Sequence, residues 1–141
     1  MDKPFLVAID FSELTERTVQ QAAQLARGGQ NRIDLLHVVH PAPVAARGNM
    51  AARAIAEKAQ RAKIDNAKRK LETLMQTIPE ELRGNCLVEV GIPADVICNA
   101  ANGYGIAVLS TNGRTGLSHA LIGSVAERVV RFCPVPVLVV R

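Results

Sequence analysis

The stretch VLSTNGRTGLSHALIGSVAERVV, Val108 to Val130, starts as an apolar strand and ends with helical spacing. Between the two lie Gly113, Gly116 and Gly123, a series of hydroxyl residues, Arg114 and His119, and no acidic residue. A strand-to-helix connection usually needs only about two to six residues. A longer one of this composition calls for a reason. Gly113 and Gly116 permit close backbone approach to a ligand. Gly123-Ser124 stands where a helix would begin, and the free N–H groups of a helix start attract anions. Loop formation alone is a sufficient explanation for any one of these residues. Their combination after a buried strand and before a helix points to anion binding.

Outward from this stretch, the chain alternates between two periodicities. FLVAI (Phe5–Ile9) is a continuous apolar run ended by Asp10, the pattern of a strand buried on both faces of a parallel sheet. SELTERTVQQAAQLAR then predicts a helix with Ser12 as N-cap and a stop at Gly28-Gly29. Its Val19, Ala22, Ala23 and Ala26 recur at helical spacing and are expected to face the sheet. RIDLLHVVH reads as a second strand, halted by Pro41 and Pro43, and PAPVAARG as a loop. A long helix is expected from about Asn49 to Ile78, with Ile64, Ala67, Leu71, Leu74 and Ile78 as its apolar stripe. CLVEV is a third strand, and PADVICNAAN a short helix opened by Pro93. IAVLS is a fourth strand, a fourth helix runs from about Ser124 to Phe132, and VPVLVVR supplies the last strand.

This order predicts a single α/β domain over residues 1–141, with a parallel sheet and helices on both faces. Ligands of such sheets bind outside the carboxyl ends of the strands, where the strand order reverses. If the first and fourth strands are neighbours there, the Asp10 carboxylate confronts a turn rich in donors. A carboxylate for ribose hydroxyls opposite amides for phosphates suits a nucleotide.

Composition narrows the classes of function. The chain has 141 residues, 48% hydrophobic and 21% charged, with a net charge of +4. That excess fits anionic ligands and falls short of a dedicated nucleic-acid binder. Eight basic residues lie between Arg47 and Lys70 against Glu57 and Asp65. A solvated helix face explains such a run, and no aromatic residues interleave it for base stacking. Cys86, Cys98 and Cys133 have no metal-ligand spacing and read as reduced thiols. The short apolar run at the N-terminus is no signal peptide or membrane span, so the expected location is the cytoplasm. The loop lacks the GK[ST] ending of a Walker A motif, and Gly103-Tyr104-Gly105 precedes a strand rather than follows one, which excludes a dinucleotide fingerprint.

Four blocks, FLVAIDFSELTERTVQQAAQLAR, LLHVVHP, VEVGIPADVICNAA and NGRTGLSHALIGSVAERVVRFCPVPVLVVR, resemble the universal stress protein family in matching order over nearly the whole chain. Nucleotide-binding members of that family carry glycine, two residues, glycine, nine residues, glycine, then serine or threonine. Gly113 and Gly123-Ser124 satisfy the second half; Ser110 stands where the first glycine belongs. Gly105 replaces a usual aspartate and reads as structural. The resemblance implies a five-stranded parallel sheet in the order 3-2-1-4-5, the adenine nucleotide alpha hydrolase-like, Rossmann-like arrangement. It implies ATP as ligand, with Mg or Mn, and a homodimer through the strand Val135–Val140. Carried over by position, Ala8, Ile9 and Asp10 line the adenosine end, with Asp10 on the ribose. Val38 meets adenine by main chain, and Leu109 packs beside it. Ser110, Gly113, Gly123 and Ser124 hold phosphates, and Val125 and Ala126 continue into the helix. Apart from the resemblance, the place of Arg114 within the turn suits it to screen phosphate charge. No catalytic set is found, so the expected role is a stress-response regulatory or sensor module with at most slow hydrolysis. The competing reading, which Ser110 favours, is a nucleotide-free dimeric interaction protein of the same family.

Overall fold

The computed structural model describes residues 3–43, 48–111 and 121–141. Five strands, β1 (Phe5–Ala8), β2 (Ile33–Val39), β3 (Arg83–Val90), β4 (Ile106–Ser110) and β5 (Val137–Val140), alternate with four helices. These are α1 (Thr15–Gly29), α2 (Met50–Met75), α3 (Pro93–Ala100) and α4 (Ser124–Phe132), and a 3-10 turn, Glu80–Leu82, precedes β3. The strands pair in the order β3-β2-β1-β4-β5, and every pairing is parallel.

Strand alternation divides the core in two. Phe5, Val7 and Ile9 pack with Ile33, Leu35 and Val108 beneath α1 and α2, joined by Val19, Ala22, Ala23, Ala26, Leu71 and Met75. Leu6 lies on the opposite face with Leu36, Ala107 and Leu109, under Ala94, Ile97 and Ala101 on the α3 side and Ala126 and Val129 of α4. The continuous apolar runs are thus explained: each strand must satisfy two layers.

Several boundaries differ from those the sequence predicts, each for a local reason. α1 starts at Thr15 after Leu14, because Ser12 is used in the turn before it: its Oγ accepts from Leu14 N at 3.3 Å. The helix also runs through both glycines, and Gln30 takes the left-handed position at φ 54°. α2 ends at Met75, short of Ile78, which is buried in the turn beyond it. Asn49 caps its start, with Oδ1 accepting from Ala51 N and Ala52 N. None of Met50–Asn66 is buried; the helix meets the core only from Ala67 onward. β3 begins at Arg83, earlier than CLVEV, and β5 is confined to Val137–Val140 because Pro136 has no N–H to give a ladder. Gly105, at the start of β4, lies against the first strand: its N–H donates to Pro4 O at 2.9 Å, and a Cβ there would meet Lys3 O at 3.3 Å.

One buried polar cluster fastens the amino end of the sheet. Asp34 is 7% exposed. Its carboxylate accepts from Asn85 N at 2.7 Å and from Tyr104 Oη–H at 2.7 Å. The β2–β3 register slips there, between Ile33 and Leu35, and a Cβ on Gly84 would run into Asp34 Oδ1. Burial first, and then the hydrogen bond to Asp34, push the Tyr104 hydroxyl well above its ordinary pKa. A raised value means that the folded protein favours the protonated phenol. That contribution is complete below the ordinary tyrosine value near 10 and is lost as pH rises beyond it. Tyr104→Phe is expected to cost roughly 1–2 kcal/mol at neutral pH by removing a donor from a buried carboxylate. Above pH ~10 the wild type should lose stability more steeply than this variant. Urea unfolding at neutral and alkaline pH checks both.

Candidate functional site

The carboxyl ends of β1 and β4 lie side by side, with Val7 opposite Val108, while β2 flanks β1 on the other side, with Ala8 opposite Leu36. The chain leaves β1 toward β2 and leaves β4 toward β5. The strand order therefore reverses between β1 and β4, which opens a crevice above their ends.

Asp10 stands on one lip, half-buried. Its Oδ1 accepts from Ser12 N at 2.9 Å, and Ser12 O accepts from Thr15 N at 3.1 Å, which turns the chain back into α1. Among the described residues, Oδ2 receives no hydrogen bond. Phe11 follows with φ at 58°, a left-handed conformation that costs a bulky residue about 1–3 kcal/mol and persists only if its surroundings enforce it. The enforcement is visible. The Phe11 ring lies against the His37 ring, with centroids 4.6 Å apart, and Lys70 Nζ sits 4.9 Å from the phenyl centroid, at cation–π distance. His37 Nδ1 lies 2.7 Å from Ile9 O; a carbonyl can only accept, so Nδ1 carries the proton. Both neighbours of Asp10 are thereby held, and with them the direction of the carboxylate.

The other lip is the start of α4. Thr111 N donates to Val140 O at 2.8 Å, and Thr111 O accepts from Gly123 N at 2.6 Å, so the helix start is tied to the sheet end. Gly123 is the N-cap and accepts from Glu127 N at 3.0 Å; no side chain among the described residues caps this helix. Among the described residues, the first-turn N–H groups of Ser124, Val125 and Ala126 meet no acceptor.

The structure brings Ala8, Asp10, Ser110, Gly123 and Ser124 to the crevice. Val38, near the end of β2, is partly buried toward the α3/α4 layer. Three expected residues belong to the core through their side chains: Ile9 and Leu109 are each 4% exposed and Ala126 2%. Ile9 has little main chain to offer either, since its N–H donates to Leu36 O at 2.7 Å and its carbonyl is engaged by His37. Ala126 can contribute only its backbone; Val125 is exposed. Ser110 shares its sheet face with Val108, and its β5 partner Val140 packs in the same layer. Alternation therefore sends the serine side chain to the α1/α2 side, the face opposite α4. Gly113 and Arg114, with Gly116 and His119, lie outside the described residues. Among the described residues no group of three His, Cys, Asp or Glu side chains could hold a metal ion. None of the described helices is long and apolar enough to cross a membrane.

The Phe11–His37–Lys70 stack is not foreseen by sequence reasoning. An aromatic residue directly after Asp10 was the available hint, but nothing local announces its left-handed backbone.

The family model described as the universal stress protein family matches residues 1–141. The chain belongs to the universal stress protein family. Universal stress protein MJ0577 of Methanocaldococcus jannaschii is 26% identical over all of this chain and 96% of its own length. Its solved structure superposes with a TM-score of 0.82 over 99% of this chain and 96% of that one. UspA of Lactobacillus plantarum, 20% identical, gives a TM-score of 0.84 over 100% of this chain and 99% of its own. Among further solved family members, one from Archaeoglobus fulgidus is in complex with dAMP (22% identity, TM-score 0.66, 99% and 98% covered). Another is in complex with cAMP (20%, 0.58, 100% and 98%). These likenesses agree with the parallel sheet and its strand order in this universal stress protein.

If His37 holds the β1 end as the geometry indicates, His37→Leu should lower stability by roughly 1–2 kcal/mol, because the Ile9 carbonyl loses its side-chain donor. Amide exchange at Ser12, the residue turned by Asp10, should accelerate in the same variant. NMR-detected exchange measures it.

Proposed function

We propose that this universal stress protein binds an adenine nucleotide, ATP with Mg or Mn, in the crevice between β1 and β4, as a regulatory or sensor module rather than a fast ATPase. The observation that carries the reading is the opposition of two unsatisfied groups across one switch point. Among the described residues, nothing donates to Asp10 Oδ2 and no side chain caps the first-turn donors of α4. A carboxylate of this kind suits a ribose diol, and helix-start amides suit phosphates. The residues present therefore fit the ligand's chemistry. Val38 is assigned to the adenine by main chain, and Gly123, Ser124, Val125 and Ala126 to the phosphates, continued by Gly113 and Arg114. No described cluster offers three ligands to a cation, so the metal would be carried mainly by the phosphates. The dAMP and cAMP held by the two related proteins support an adenine-nucleotide class of ligand.

Ser110 is the argument for a nucleotide-free, dimeric interaction protein instead. Its placement on the face opposite α4 weakens that argument, because the extra side chain is not directed at the proposed phosphate position. Homodimerisation is part of both readings: β5 has a single neighbour in the sheet and is apolar throughout. Sedimentation should give twice the 15.1 kDa of one chain.

Asp10→Asn separates the roles of the carboxylate, since an amide oxygen can still accept from Ser12 N while the second acceptor becomes a donor. ATP affinity is expected to fall about 10- to 100-fold, the scale of a lost hydrogen bond to a charged group. Inorganic triphosphate should bind as before. Calorimetric titration of both ligands tests this; no heat from ATP at millimolar concentration in the wild type overturns the nucleotide reading.

A further inference from the structure

The connection from α3 to β4 carries a chemistry that the crevice does not use. Ala101 is the buried C-cap of α3, and a turn closes from it to Tyr104, whose N–H donates to Ala101 O at 3.0 Å. Asn102 and Gly103 are the central residues of that turn, and both are exposed. Gly103 takes φ at 91°, and the space that a Cβ would fill is open. Asn102 Nδ2 donates to Asn99 O at 3.2 Å. Among the described residues, neither the Asn102 carbonyl nor the Gly103 N–H enters a hydrogen bond. The peptide between them is therefore free to rotate and to bring the Gly103 nitrogen onto the Asn102 side-chain amide. Asparagine is a chemically labile residue, and a following glycine shields its own amide nitrogen least. The other described asparagines are placed differently. Asn66, Asn85 and Asn99 lie within regular elements, and Asn31 and Asn49 precede Arg32 and Met50, whose side chains crowd the attacking nitrogen.

We propose that Asn102–Gly103 is a site of self-modification, at which the Asn102 amide is lost as ammonia and replaced by a carboxylate, loosening the tie between α3 and the Asp34 cluster. The Gly103 nitrogen gives its proton to solvent base and attacks the Asn102 Cγ. The N–Cγ bond forms, the Cγ–Nδ2 bond breaks, and Nδ2 takes up a proton and leaves as ammonia. Water then opens the cyclic imide. Cleavage of its bond to Cγ gives aspartate; cleavage of its bond to the main-chain carbonyl carbon gives isoaspartate. One water is consumed and one ammonia released. Both products act on the same neighbours. A carboxylate cannot donate to Asn99 O, and it stands beside the last carbonyls of α3, where the helix dipole disfavours negative charge. Isoaspartate also adds a methylene to the main chain, inside a turn whose two ends are pinned. Ala101 is buried on one side, and Gly105 N donates to Pro4 O at 2.9 Å on the other. The added length falls on Tyr104, whose Oη–H donates to Asp34 Oδ2 at 2.7 Å.

The purified full chain, held warm at mildly alkaline pH with and without urea, provides the test. The chain's second Asn-Gly pair, Asn112-Gly113, lies outside the described residues. Chymotryptic cleavage after Tyr104 leaves it out of the peptide that carries Asn99 and Asn102. Fragment-ion mass spectrometry of that peptide is expected to show a gain of one mass unit at Asn102 that grows with time in the folded protein, with Asn99 unchanged. The modified chain, separated by its extra negative charge, should melt about 3–5 °C lower, the size of one lost hydrogen bond in a domain of this length. Asn102→Gln keeps the amide donor but disfavours the ring closure, so it should show no mass gain and melt with the unmodified protein. Conversion in urea without conversion in the folded protein would overturn the proposal, as would an amide retained under both conditions. A modified chain that melts with the unmodified one would overturn the coupling to the Asp34 cluster.

Discussion

The pairing of β1 with β4 is the constraint on which everything else rests. Leu6, Val7 and Val108 are 0% exposed, and each must satisfy a layer of helices as well as a neighbouring strand. A shift of that pairing by one residue would exchange the two faces, sending Val7 toward α3/α4 and Leu6 toward α1/α2. The helices above would lose their counterparts at once. Because the pairing is fixed from within the core, the positions of the chain leaving both strands are fixed too. The crevice is a by-product of core packing rather than a separate construction.

That origin explains how labour is divided in the crevice. Side chains such as Ile9, Leu109 and Ala126 belong to the core, and what they leave at the surface is backbone. Among the described residues, polar chemistry is concentrated in Asp10 and in the start of α4, which no side chain caps. The same division explains why a strained Phe11 is tolerated: its ring is held by His37 and Lys70 on the α1/α2 side, where it does not intrude on the opposite lip. Rigid elements thereby aim one carboxylate and one set of amides at a shared space, the condition for a preorganised site.

Much of this arrangement is legible in the sequence because it depends on periodicity and helix-end chemistry. Continuous apolar runs mark the buried strands, Pro93 opens α3 as expected, and Gly123-Ser124 marks the start of α4. What escapes is what depends on contact across the fold. The glycines at 28 and 29 look like a stop signal, yet both stay helical, and Gln30 takes the left-handed turn instead. Asp34 looks like a flaw in an apolar strand until Asn85 and Tyr104, 51 and 70 residues away, arrive to satisfy it. In the crevice, Asp10 and the α4 start are foreseeable from residue type. The stack behind Asp10 joins residues 11, 37 and 70, and no local rule brings them together.

The uneven seating of α2 carries a different consequence. At 1.5 Å per residue its 26 residues extend about 39 Å, yet none before Ala67 is buried. Its outer turns are held by the Asn49 cap, the Arg53–Glu57 pair and the bond from Ala42 N to Gln60 Oε1. Most helical stability in a protein comes from packing an apolar face against the core, and no residue of these turns is buried, so they are expected to unwind without disturbing the sheet. Two melting scales are therefore expected, a sheet-and-core body that opens as a unit and an outlying arm that breathes on its own.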